Sequence, residues 1–241
     1  IDTSKFLASR DYLNYLVPLR FVKEEISGIH EITGGDAYFD YEASEYKFWS
    51  TAADYDILHF AMHTLINDEN PMFSQLVFTL YNDTLEERDG LLNTYEIYNS
   101  DLNARLAVLS ACNTGYGKLQ RGEGIMSLAR GFFYAGVPSI VMTLWAVEDR
   151  SGSELMKLFY KHLADGDPID ISIQKAKLDY LSNSDMLTAH PYLWSGYVNI
   201  GYNDALYKKG KALHFIAAAL GLAIILFLVI WYRKKYQRSR K

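Results

Sequence analysis

Only one cysteine, Cys112, occurs in the 241 residues, which excludes an internal disulfide framework and any metal site built from several thiolates. No Asp or Glu follows Asp204, whereas nine Lys and Arg residues do. The rest of the chain carries 15 basic against 29 acidic residues, a net of −14 beneath the overall −5. A body that acidic repels a phosphate backbone, so no nucleic acid is expected as a partner. Internal repeats and low-complexity stretches are missing too. The first residue is Ile1 and not Met, so the expectation is a piece of a longer polypeptide, with any export signal upstream.

What remains is rich in core-forming residues. Hydrophobic side chains make up 49% and aromatic ones 15%, enough for one domain with an appendage. The appendage is the run FIAAALGLAIILFLVIWY at 215–232, free of charge. With Ala212, Leu213 and His214 it reaches the roughly 20 residues of a membrane helix. Trp231 and Tyr232 close it at the place of an interfacial aromatic belt, ahead of the basic tail 233–241. The domain is therefore expected over 1–207, with a linker at 208–211 and a transmembrane helix over 212–232. Six basic residues follow that helix and three precede it. The positive-inside bias puts the tail in the cytoplasm and the folded domain across the membrane, provided an export signal lies upstream.

Within the domain, short apolar runs alternate with amphipathic stretches. Helices are expected at Asp11–Gly28, Ala43–Ala53, Gly124–Ala135, Asp149–Leu163 and Asp170–Leu181. Strands are expected at Tyr55–His63, Leu76–Tyr81, Ala104–Cys112, Ser139–Leu144 and Tyr192–Ile200. Thr94–Asn99 is ambiguous. The Ala104–Cys112 run is nearly continuous in apolar side chains, as in a parallel strand covered on both faces. The alternation predicts a three-layer α/β/α sandwich around a mainly parallel sheet.

Two residues able to do chemistry close two of these strands. In parallel sheets, loops leaving neighbouring strands converge at the carboxyl edge, where sites form. A thiol is a few per cent thiolate at neutral pH, and a nearby imidazole raises that fraction or takes the proton during attack. His63 and Cys112 are thus a workable base and nucleophile, although a strand-end Cys also serves as core filler. His59 lies four residues before His63, but on a strand about 13 Å would separate them at roughly 3.3 Å per residue. It reads as a satisfied structural histidine. Gly115, Gly117, Gly122 and Gly124 match no nucleotide-binding pattern.

The motifs HFAMH, LSACNTG, GEG opening a helix, AGVPSIVMTLW with Asp149 just beyond, and HPYLWSGY occur in that order. Together they resemble the CHAT family of caspase-like domains, from about Leu16 to Gly201. The resemblance implies the caspase, gingipain and separase fold and a dyad of His63 and Cys112. It also implies an oxyanion hole from the backbone N–H groups of Thr64 and Cys112, no metal or cofactor, a protein or peptide substrate, and tetratricopeptide repeats upstream. It makes His190 a packing residue. Asp149 is expected either to recognise a basic P1 side chain, as in separase-like relatives, or to cap the following helix. One position departs from the family: Thr64 stands where Gly usually follows the catalytic His. Thr resists the φ > 0 conformations open to Gly and brings a branched side chain. Two rival readings stay open: a catalytically silent membrane-tethered interaction scaffold, and an α/β body that binds a small molecule.

Overall fold

The computed structural model describes residues 16, 18–67, 69–79, 89–110 and 123–208. In chain order its principal elements are α1 (Val22–Thr33), α2 (Glu45–Thr51), β1 (Ile57–Phe60), β2 (His63–Leu65), β3 (Gln75–Val77), β4 (Leu91–Asn93) and α3 (Thr94–Tyr98). Then come β5 (Leu106–Leu109), α4 (Glu123–Tyr134), β6 (Ser139–Thr143), α5 (Asp149–Ala164), α6 (Ile169–Ser182) and β7 (Tyr197–Gly201). The main sheet has the order β1-β5-β6-β7. Its first three strands are parallel, and β7 runs antiparallel to β6.

Every position of β5 and β6 is buried, as the unbroken apolar runs predict for strands covered on both faces. Side chains alternate between two cores because successive residues of a strand point to opposite faces. Leu106, Val108 and Val141 pack with Leu155 and Phe159 of α5 and Ile173 of α6. Ala107, Leu109, Ile140 and Met142 pack with Leu128 and Phe132 of α4 and Phe48 of α2. Helix α1 joins the first face through Ile29. Helices on both faces of a mainly parallel sheet are the expected mixed α/β architecture.

The structure departs from the sequence reading in several places. The single strand expected over Tyr55–His63 is two. After Phe60 the chain leaves the main sheet at Ala61 and Met62, and His63 opens β2 of a separate antiparallel sheet, β2-β3-β4. An apolar run cannot distinguish one strand from two that pair with different neighbours. Of the helix expected over Asp11–Gly28, residues 11–15 and 17 lie outside the described residues; among the described ones helix α1 starts at Val22, beyond Pro18, and continues past Gly28 to Thr33. It stops at Gly34, whose left-handed backbone (φ 69°) lets its N–H donate to the His30 carbonyl. The ambiguous Thr94–Asn99 run is helical, started by a capping box of Asn93 and Glu96. Strand β4 has no counterpart among the expected elements. Pro191–Leu193 forms a 3-10 turn, so the last strand begins at Tyr197 and not at Tyr192.

Residues 209–241, which hold most of the expected linker, the expected transmembrane helix and the basic tail, lie outside the described residues, as do Leu80 and Tyr81 of the strand expected over Leu76–Tyr81. Among the described residues no helix is long and apolar enough to cross a membrane.

Phe132 is fully buried between α4 and the sheet. Phe132→Ala is expected to lower the unfolding free energy by about 3–5 kcal/mol. Leu178→Ala, at a side chain 59% exposed, should change it by less than about 0.5 kcal/mol. Urea midpoints of the two variants check this contrast.

Candidate active site

The parallel pairing of β1 with β5 builds the site. Phe60 stands opposite Leu109, so the chain segments leaving both strands depart side by side at the carboxyl edge. From β1 the chain passes Ala61 and Met62 to His63, which is half-buried and opposite Val77 of β3. From β5 it passes Ser110 toward Cys112, which lies outside the described residues, as do Gly115, Gly117 and Gly122. Gly124 falls in the first turn of α4.

Thr64 follows His63 inside β2, opposite Leu76, and is only 2% exposed. The sequence raises the question of a left-handed backbone here. Asp40 is the sole non-glycine residue with positive φ among those described, so Thr64 adopts a backbone open to any residue. Its branched side chain is packed away, a placement that suits a β-branched residue in a strand.

A small crevice at the same edge is lined by Leu19, Val22, Ala61, Ser110, Asp149 and Gly152, with Glu25 beneath. Asp149 is the first residue of α5, yet it does not cap that helix. Glu148 does so, its carboxylate accepting from the Ser151 N–H (2.8 Å) and hydroxyl (2.7 Å). Asp149 instead accepts from the Phe21 N–H at 2.8 Å, satisfying one of the otherwise orphaned donors at the start of α1. Its carboxylate therefore lies between the helix entering the sheet and the strand ends leaving it.

His59 lies within β1, four residues before His63. Its Nε2 is 2.9 Å from Glu25 and its Nδ1 is 3.1 Å from the Tyr160 hydroxyl. Burial holds the Tyr160 phenol well above its ordinary pKa, so that hydroxyl keeps its proton. The imidazole tautomer that satisfies all three donates from Nε2 to Glu25 and accepts at Nδ1 from Tyr160. This is the satisfied structural histidine the sequence suggests. Its partners are not evident from sequence, although Glu25, four residues before the buried Ile29, sits on the apolar stripe of α1, an unusual place for a carboxylate.

His190 is a correction. It is exposed, and its Nδ1 accepts from the Tyr192 N–H at 3.3 Å. It caps the 3-10 turn before β7 from an exposed position. The motif around it is explained by Trp145, whose indole N–H donates to the Tyr192 carbonyl at 2.8 Å and whose ring stacks on Tyr192. A Cβ on Gly196 would sit 2.8 Å from that indole, so the two aromatic motifs and the glycine form one packed unit.

Against this geometry, a family model described as the CHAT domain matches residues 4–202. The chain belongs to the CHAT family. The caspase-like character of that family agrees with the mainly parallel sheet. The CHAT domain is also similar to tetratricopeptide repeat protein 28 of Mus musculus and of Homo sapiens, at 22% identity over 213 residues in each case. The match takes in 76% of the chain but only 9% and 8% of those relatives. The CHAT chain thus spans less than a tenth of their length.

Removing one partner from a buried, hydrogen-bonded carboxylate leaves the other uncompensated. His59→Ala is expected to cost the CHAT domain about 3 kcal/mol of stability by strand Glu25 in the interior. Pairing it with Glu25→Leu should recover part of the loss, and a double-mutant cycle read by urea unfolding measures this coupling.

Proposed function

We propose that this CHAT domain is a cysteine peptidase in which His63 is the base and Cys112 the nucleophile. The observation that carries the reading is the register of β1 against β5, with Phe60 opposite Leu109. That register brings the segment running to His63 beside the segment running to Cys112. The His63 imidazole accepts the thiol proton and the thiolate adds to the scissile carbonyl. Backbone N–H groups of Thr64 and Cys112 hold the oxyanion that develops. His63 returns the proton to the leaving amine, and water then hydrolyses the thioester through the same base.

The specificity side of the proposal rests on Asp149. Its carboxylate is at the carboxyl edge in the crevice that Ser110 also lines. The crevice itself, about 10 Å³, is too small for a side chain, so the proposal rests on the half-buried Asp149 carboxylate at its rim. A guanidinium or ammonium at that edge would meet it with charge-assisted hydrogen bonds that select for Arg or Lys at P1. The proposed setting is a membrane-tethered domain under the control of upstream tetratricopeptide repeats. The charge-free run at 215–232 and the similarity to repeat-protein relatives support these two parts. The second reading, a silent tethered scaffold, draws on Thr64 standing where the family usually has Gly.

Turnover of a peptide panel separates the readings. His63→Ala should lower kcat by about 10²–10⁴-fold, the ordinary contribution of a positioned base. Cleavage should follow Arg and Lys. Asp149→Asn keeps an oxygen acceptor for the Phe21 N–H but removes the charge, so the fold should persist while the basic preference is lost. Turnover unaffected by His63→Ala would contradict the peptidase reading, and turnover found only after Asp would contradict the basic preference; complete inactivity of the wild type favours the scaffold.

A further inference from the structure

The chain enters α1 through a short strap, residues 18–21, that crosses the carboxyl edge beside Asp149. Leu19 of the strap and Val22 of α1 line the crevice there, against Ala61, Ser110 and Gly152. The strap ends on the Asp149 carboxylate, which accepts from the Phe21 N–H at 2.8 Å. Among the described residues this is the strap's one hydrogen bond to another element. Arg20, its one basic residue, is exposed, so a backbone N–H and not a cationic side chain takes the carboxylate. The space left in the crevice is about 10 Å³, close to what a single water molecule requires. A guanidinium cannot enter while Leu19 and Phe21 stay in place.

Helix α1 behind the strap is held by other contacts. Ile29 is buried in the core, Glu25 lies 2.9 Å from the His59 ring, and Lys157 donates to Glu24 at 2.6 Å. None of these involves residues 18–21, so the strap can lift while the helix stays docked. Phe21 is the helix N-cap and has no side-chain cap of its own; Asp149 supplies the acceptor in its place. A neutral N–H on a carboxylate is the weaker partner, because a guanidinium brings two N–H groups and a charge to the same oxygens. An arginine at P1 therefore competes with the strap for Asp149. An uncharged side chain offers that carboxylate nothing in exchange for the hydrogen bond it loses, so the strap also sharpens selection.

We propose that residues 18–21 are an autoinhibitory strap: the Phe21 N–H occupies Asp149, Leu19 fills the space beside it, and a basic P1 side chain binds by displacing both. The inference rests on the reading of Asp149 as the carboxylate that selects Arg or Lys. The apparent affinity for a basic ligand is then the intrinsic affinity reduced by the fraction of molecules whose strap is lifted.

Hydrogen exchange at the Phe21 amide reads the strap without any need for turnover, with benzamidine, a small amidinium cation, as the probe. Saturating benzamidine should speed exchange at Phe21 by about 10-fold or more, leave the Val108 amide of β5 unchanged, and have no effect in Asp149→Asn. Leu19→Ala, which loosens the strap and lies outside the catalytic residues, should bind benzamidine about 5–10-fold more tightly by titration calorimetry. Binding to Leu19→Ala alone supports the strap as well. Asp149-dependent binding that leaves Phe21 exchange unchanged overturns the proposal, as does equal affinity in the two chains or no Asp149-dependent binding in either. The peptidase reading is judged separately by the turnover of His63→Ala, so an inactive chain in which benzamidine frees the Phe21 amide still carries the strap.

Discussion

Everything proposed for this domain depends on the parallel ladder between β1 and β5. Parallel strands need long crossovers, and the second sheet and α3 occupy the one between β1 and β5. The ladder is short, four residues on each side, yet it fixes where both chains emerge. It holds because β5 is an interior strand with no exposed position, clamped between two apolar cores. A slip of one residue would turn each β1 side chain to the wrong face, driving His59 toward Phe48 and Phe132 and Leu58 toward Glu25.

Three buried or half-buried carboxylates then join the outer elements to that sheet. Glu25 ties α1 to β1 and α5 through His59 and Tyr160. Asp149 ties the start of α5 to the start of α1. Glu45 accepts from the Trp49 indole and from the Gly90 N–H, each at 2.9 Å, joining α2 to the start of β4. Burial raises the Glu45 pKa, the expected response of a carboxyl removed from water. Such contacts are directional where the apolar cores are not. They fix α1 and α2 against the strands and helices they join.

Much of this was legible from sequence. The unbroken runs at Leu106–Leu109 and Ser139–Thr143 announced doubly covered strands, and the ordered motifs announced the family. His59 reads as structural from a spacing along one strand, and although the strand breaks before His63, its Glu25 and Tyr160 partners give it that role. What stayed hidden depends on pairing across the chain. Nothing local tells that the run from Tyr55 breaks after Phe60, because Leu76 and not a continuation of the main sheet takes up Thr64. The role of Asp149 was equally hidden. A residue at the start of a helix reads as a cap, whereas Glu148 fills that position and Asp149 reaches a backbone N–H 128 residues earlier in the chain. His190 failed as a packing residue for the related reason that the motif is held by Trp145.

The central claim is that Cys112 is an activated thiol under the influence of His63. The pH dependence of the Cys112 alkylation rate addresses it directly in this 241-residue chain, of which Cys112 is the only cysteine. The account predicts a thiolate pKa below the roughly 8.5 of a free cysteine, moving upward in His63→Ala. A Cys112 that resists alkylation, or whose profile is the same with and without His63, would contradict it.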